Sequence, residues 1–424
     1  MPAFVAALTV LAGVLAACGS ADSGIVRLSA PPMGWNSWNA FGCGVTEATV
    51  HAAADALVSS GMRDAGYRYV VVDDCWFDQS RTADGSLRGN PTTFPDGMAA
   101  LGKYLHDRGL KFGIYESPSS RTCAQVGGSY GGSTGSTGHV VQDARTFASW
   151  GVDYLKYDWC GAPASIDRMK RAFGSMRTAL RDTGRPIVLS VNPNSLETNP
   201  AVPETVGASG DWSGAADLVR TGQDVYPLWD NAIADRVYVN GSYTIAGIRD
   251  TVERSVAVPA HAGYYNDPDM LVIGTSLSTL GFPATASVPS QLPDTQARVQ
   301  LVMWAMLGAP LMAGNDLTRM SDQTKALLTS AGVIAIDQDR SKPGNRIGRI
   351  GDVEVWDRNL AGGDRAIALY NPGSSPATTR LDASAIGIPV GCTATGVLTG
   401  RSQPLDGPIT VTATGVELYR VHCG

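Results

Sequence analysis

Between about residue 29 and residue 337, short apolar and β-branched runs alternate with stretches whose apolar residues recur at helical spacing. That is the pattern of a parallel sheet assembled from βα units. The clearest run is Tyr69-Val70-Val71-Val72-Asp73-Asp74, continuously apolar and then abruptly acidic. A strand buried on both faces reads this way when its C-terminal end opens into a cleft. Residues 111–116, 152–158, 186–192 and 217–220 repeat the design. Helical stretches over 46–60, 98–108, 165–181 and 294–307 lie between them, most of them opened by Thr, Asp or Ser, which cap helix N-termini. The alternation predicts a (β/α)8 TIM barrel over residues 29–338, with its polar strand ends converging on one catalytic face.

After Gln338 the helical period stops. Short β-type runs, Val353-Glu354-Val355-Trp356 and Ala366-Ile367-Ala368-Leu369-Tyr370, alternate with Gly, Pro and Asn turns. They predict a small C-terminal antiparallel β-sandwich domain over 339–424. The Gly/Ser/Thr tract from Gly127 to Gly138 has little apolar content with which to pack, and reads as a mobile loop above the barrel mouth.

The net charge of -6 is spread without a basic stripe, which argues against a nucleic-acid partner. Residues 1–28 read as a signal peptide and short linker: the apolar run from Met1 to Ala17 suits a signal-peptide core and is short for a membrane span. Leu15-Ala16-Ala17-Cys18 resembles a bacterial lipobox, which predicts acylation of Cys18 and anchoring of a secreted chain at the cell surface. The usual basic segment before Phe4 is missing, so ordinary cleavage after Ala17 is the alternative. The other six of the seven cysteines favour disulfides in an exported chain. They lack C-x-x-C spacing, and the five histidines lack ligand spacing, so no metal is expected. No Gly-x-Gly-x-x-Gly follows a strand, and no cofactor is expected.

In an extended segment Tyr154, Lys156, Asp158 and Cys160 share one face. A lysine beside Asp158 favours the ionised carboxylate that a glycosidase nucleophile must hold, although an isolated Lys-x-Asp is ordinarily a structural ion pair. Tyr154-Leu155-Lys156-Tyr157-Asp158-Trp159-Cys160 resembles the nucleophile strand of glycoside hydrolase family 27, the melibiase family. Pro32-Met33-Gly34-Trp35-Asn36-Ser37-Trp38, Val72-Asp73-Asp74-Cys75-Trp76, Lys111-Phe112-Gly113-Ile114-Tyr115 and Asn266-Asp267-Pro268-Asp269-Met270 resemble further signatures of that family, in the family's order.

The resemblance implies a retaining, exo-acting hydrolase of oligo- or polysaccharides, with Asp158 as nucleophile and Asp224 as general acid/base. In such a pair the carboxyl groups stand about 5–5.5 Å apart. It further implies sugar contacts from Trp38, Asp73, Asp74, Tyr115, Lys156, Arg220, Asp269 and Met270. It also implies disulfides Cys43–Cys75 and Cys123–Cys160, which leaves Cys392–Cys423 by remainder.

Where α-galactosidases of the family carry Cys-Glu-Trp after the fifth strand, this chain has Val191-Asn192-Pro193, and Asn192 takes the sugar-contacting position. Glu116-Ser117, Tyr265 and an insertion over 276–292 are further departures. α-Galactosidase stands first among the activities implied. β-L-Arabinopyranosidase, isomalto-dextranase and a non-hydrolysing carbohydrate-binding protein are the alternatives.

Overall fold

The computed structural model describes residues 28–160, 164–194, 207–230, 245–260, 263–279, 290–389 and 391–423. Cys18, with its predicted acylation, lies outside the described residues, as do residues 280–289 of the insertion.

Eight strands form one parallel sheet: β1 (Met33–Asn36), β2 (Tyr69–Val72), β3 (Lys111–Glu116), β4 (Tyr154–Asp158), β5 (Val188–Asn192), β6 (Leu218–Arg220), β7 (Tyr265–Asp267) and β8 (Leu311–Ala313). Their order is β8-β1-β2-β3-β4-β5-β6-β7. A parallel bridge between Leu271, just past β7, and Ala313 of β8 joins the two edges into a barrel. Leu271 N donates to Met312 O at 2.8 Å and Gly314 N to Leu271 O at 3.0 Å. Closure removes the exposed edge along which an open sheet could pair with other chains.

The period of two along each strand sorts the side chains. Tyr69, Val71, Tyr154, Val188, Leu218 and Met312 pack together with Met270 inside the barrel. Val70, Val72, Leu155, Leu189, Val219 and Leu311 belong to the larger core shared with the helices. Gly34 and Gly113 are required by close approach: a Cβ would meet Tyr69 O at 2.2 Å and Val71 Cγ2 at 2.6 Å respectively. Carried beyond the apolar layer, the inward parity continues to Asn36, Asp73, Tyr115, Asp158, Asn192 and Arg220, so the barrel mouth is polar because of where the strands end.

Two of the longer surrounding helices start at residues whose side chains cap them. Thr46 Oγ1 accepts from Thr49 N at 3.2 Å ahead of helix Glu47–Ser59, and Ser165 Oγ from Arg168 N at 3.3 Å ahead of Ile166–Asp182. Helix Asp294–Leu307 is buried over most of its length, because it lies between the barrel and the second domain.

That domain carries β9 (Asn345–Ile350), β10 (Val353–Asn359), β11 (Arg365–Asn371), β12 (Ala377–Thr379), β13 (Thr393–Gly396), β14 (Ser402–Gln403), β15 (Ile409–Val411) and β16 (Gly415–His422). Six of these form an antiparallel sheet in the order β9-β10-β11-β16-β13-β14, and β12 pairs with β15. One sheet face, with Val355, Ile367, Leu369 and Val421, packs on Ile409 and Val411 of β15. The other, with Trp356, Ala368, Tyr370 and Leu418, joins the barrel's core. Each large side chain so buried contributes about 1.5–3 kcal/mol relative to exposure.

All three disulfides, Cys43–Cys75, Cys123–Cys160 and Cys392–Cys423, are formed. The Gly127–Gly138 tract departs from its reading as a loop unable to pack. Arg81 reaches in to donate to Thr134 O at 2.7 Å and Gly135 O at 3.0 Å, and is itself held by Asp143 at 2.6 and 2.8 Å. Gln125 Nε2 donates to Thr134 Oγ1 at 2.8 Å, Ser136 N donates to Ser117 O at 2.8 Å, and Thr134 and Ser136 are buried. Polar anchoring replaces the apolar packing that the tract lacks.

Candidate active site

The strand ends surround a pocket of about 190 Å³ lined by Trp38, Asp73, Asp74, Tyr115, Lys156, Asp158, Asn194, Gln223, Asp224 and Tyr226, with Cys123, Ala124, Gly127 and Ser129 at one side. This is smaller than the ~300–1,000 Å³ of sites for drug-sized ligands, and its wall is unusually acidic. Broader surface hollows elsewhere on the molecule lack this convergence of charged groups.

Asp73, directly after β2, is the hub of one half. Its Oδ2 accepts from Asn36 Nδ2 at 2.6 Å and from Lys156 Nζ at 2.7 Å, and its backbone N donates to Ser37 Oγ at 2.9 Å. Asp74 is fixed separately: its Oδ1 accepts from Cys75 N at 2.7 Å and its Oδ2 from Ala124 N at 2.8 Å. Cys75 takes a left-handed φ of 75° and is bonded to Cys43, while Ala124 follows the bridged Cys123, so both donors to Asp74 stand beside disulfides. Burial, opposed chiefly by the bond from Ala124, lifts the Asp74 carboxyl to about 6.

Asp158, at the end of β4, has Lys156 Nζ 3.7 Å from its Oδ2, and its Oδ1 is buried with no hydrogen-bond partner among the described residues. Lys156 does favour the ionised carboxylate, yet burial outweighs it and lifts Asp158 to about 7. Lys156 itself is held charged: burial would discharge it, and Asp158 and Asp73 more than reverse that effect.

The opposite half is organised by Arg220, the last residue of β6. Its guanidinium bonds Asp224 Oδ1 at 2.9 Å and Asp269 Oδ1 at 2.9 Å. Asp269 has a left-handed φ of 97°, and its Oδ2 accepts from Val225 N at 2.7 Å, so it braces the segment that follows Asp224. Burial, opposed by Arg220, raises Asp269 to about 7.

Of the sequence-derived candidates, Trp38, Asp73, Asp74, Tyr115, Lys156, Asp158 and Asp224 line the pocket. Arg220 and Asp269 stand behind it as an ion pair, and Met270 belongs to the apolar layer inside the barrel. Asn192 is turned to a backbone task, its Oδ1 accepting from Asn194 N at 3.0 Å. The lining residue from that segment is Asn194, which sequence reasoning missed along with Gln223 and Tyr226. Asn192-Pro193-Asn194 is a recognisable turn signal, but a turn motif does not disclose which amide faces the cavity.

An acidic pocket of this size at the C-terminal mouth of a (β/α)8 barrel suits chemistry on a hydroxyl-rich ring. The family profile described as alpha galactosidase A matches residues 30–339, and that of the alpha galactosidase C-terminal beta sandwich domain matches residues 350–421. The chain belongs to the melibiase family. Among relatives of this melibiase, alpha-galactosidase A of Cellvibrio japonicus is 36% identical over 360 residues, covering 83% of this chain and 78% of that one. The crystal structure of alpha-galactosidase I from Mortierella vinacea superposes with a TM-score of 0.78 at 32% identity, covering 93% of this chain and 97% of that one. A β-L-arabinopyranosidase from Geobacillus stearothermophilus has a TM-score of 0.73 at 21% identity over 93% of this chain and 98% of that one, which is a likeness of fold. As a member of that family, the chain is a retaining O-glycosidase.

Proposed function

We propose that this melibiase removes terminal α-D-galactose from oligo- or polysaccharides, with Asp158 as nucleophile and Asp224 as general acid/base. The observation that carries the reading is the convergence of both carboxyl groups on one small pocket, each beside a buried cation, Lys156 for Asp158 and Arg220 for Asp224. Asp158 Oδ1, which has no hydrogen-bond partner among the described residues, has its lone pairs directed at the anomeric carbon in this reading. Its attack breaks the glycosidic C–O bond while Asp224 gives a proton to the departing oxygen. Asp224 then takes a proton from water, whose oxygen displaces Asp158 from the same carbon, and two inversions give net retention.

Asp73, Asp74 and Lys156 supply acceptors and donors for ring hydroxyls, and Trp38 and Tyr115 supply apolar walls for C–H faces. The site test is hydrolysis of p-nitrophenyl α-D-galactopyranoside, p-nitrophenyl β-L-arabinopyranoside and dextran side by side, with Asp158→Ala as the blank. Turnover of the galactoside, lost in the variant, is expected. Activity confined to the arabinoside or dextran would overturn the substrate, and sugar binding without turnover of any would overturn the enzymatic roles.

The proposal includes export. Three disulfides suit an oxidising compartment, and Cys18 is proposed as a lipid anchor. Detergent-phase partitioning of the full chain against Cys18→Ser tests the anchor.

A further inference from the structure

Two stretches of chain far apart in sequence meet at Asn194. Its Nδ2 donates to Arg220 O at 2.7 Å and to Gly222 O at 3.3 Å, while its Oδ1 accepts from Gly207 N at 2.9 Å. Both amide hydrogens are therefore spent on the two carbonyls that bracket the turn leading into Asp224. Gly222 O also accepts from Arg220 Nη2 at 3.3 Å, so the turn is gripped at one oxygen by the amide and by the guanidinium that holds Asp224. From the other side the segment is tied by Val225 N to Asp269 Oδ2 at 2.7 Å and by Thr221 N to Asp267 O at 2.9 Å.

The Asn194 side is as tightly specified as the Asp269 side. Asn194 is 8% exposed yet lines the pocket. The approach of residue 207 tolerates no side chain, since a Cβ there would meet Arg220 O at 1.8 Å. The side-chain amide of Asn192 fixes the entry to this arrangement by accepting from Asn194 N. An ordinary surface turn does not need a buried amide with both hydrogens committed to one neighbouring loop.

We infer that Asn194 is a positioning residue for the general acid/base: it clamps the turn 220–222 from the β5 side and so sets where the Asp224 carboxyl meets the glycosidic oxygen. The inference rests on the assignment of Asp224 as acid/base. A misplacement of about 1 Å costs on the order of 10²-fold in rate, and for a displaced acid the loss falls on bonds whose leaving group needs a proton.

The experiment compares kcat/KM for 2,4-dinitrophenyl and methyl α-D-galactopyranosides in the full-length wild type, Asn194→Ala, Asn194→Asp and Asp224→Ala. The dinitrophenolate leaves without protonation and the methoxide does not. Expected for both Asn194 variants is a loss on the order of 10²-fold on the methyl glycoside with a change under about threefold on the dinitrophenyl glycoside. Asp224→Ala should show the same selectivity, larger. Equal losses on the two substrates, or none, in the Asn194 variants would overturn the clamp while leaving Asp224 in place. Absence of selectivity in Asp224→Ala would instead overturn the acid/base assignment beneath it. Should the Asn194 variants fail to fold by circular dichroism, Asn194→Ser, which keeps a short hydrogen-bonding side chain, is read by the same ratio.

Discussion

Lys156 donates to Asp73 at 2.7 Å and stands 3.7 Å from Asp158, beyond hydrogen-bonding distance. The ammonium thus binds one carboxylate by contact and acts on the other by its field. Lys156→Met removes the larger of the two attractions, from Lys156 and Arg220, that oppose the burial of Asp158, so Asp158 keeps its proton to higher pH. The acid limb of kcat/KM is expected to move upward in pH, with the plateau falling by at least about tenfold. A pH–rate profile on the dinitrophenyl glycoside checks this, and an unmoved limb would argue that Lys156 does not govern Asp158.

Asp158→Asn should stabilise the fold, and by an amount that depends on pH. The folded carboxyl, at about 7, lies above its ordinary value of 3.8. The unfolded chain therefore loses its proton first as pH rises, and stability drains between about pH 4 and pH 7 at up to ~1.36 kcal/mol per unit before levelling off. Asparagine escapes that loss. Thermal melts should show a larger gain in Tm over wild type at pH 8 than at pH 4, and a gain independent of pH would contradict the assignment.

Cys123→Ser paired with Cys160→Ser opens a loop with a sequence separation of 37. On the chain-entropy account this costs about 4 kcal/mol. Because the backbone N of Ala124 donates to Asp74, the loss should also reach the pocket. KM is expected to rise by more than kcat falls, as read by steady-state kinetics below the lowered Tm.

Arg81→Met leaves Asp143 buried and unpaired and frees the carbonyls of Thr134 and Gly135. Breaking a buried pair from one side costs about 3–5 kcal/mol. Limited proteolysis is expected to gain cleavage sites within residues 127–138 that the wild type resists.

Much of this architecture can be read from the chain because it depends on near neighbours. The turn from apolar to acidic at Val72-Asp73 marks where β2 ends, and period-two parity alone puts Tyr154, Lys156 and Asp158 on one face of β4. Predicted helix limits at 46–60 and 294–307 agree with Glu47–Ser59 and Asp294–Leu307 because caps and a left-handed Gly308 set them locally.

What escaped the sequence depends on partners brought from a distance. The protonation of Asp158 is decided by the burial that the whole barrel imposes. The order of the Gly127–Gly138 tract comes from partners outside it, Arg81, Ser117 and Gln125 among them, which the tract's own composition does not announce. That Asn194 also lines the cavity follows from which backbone groups Arg220 and Gly207 present to it.

The hold of Arg81 on that tract has a consequence for how the enzyme can diversify. The guanidinium grips the carbonyl oxygens of Thr134 and Gly135, which every amino acid supplies, but the neighbouring positions are held to their own residues: at Gly132, with a left-handed φ of 99°, a Cβ would meet Gln79 O at 2.0 Å. Ser133 Oγ and Thr137 Oγ1 donate to Ser120 O at 2.8 Å and Pro118 O at 3.0 Å, so sequence drift beside the pocket is confined to positions of the tract that lend neither a hydroxyl nor a glycine backbone to its fastening.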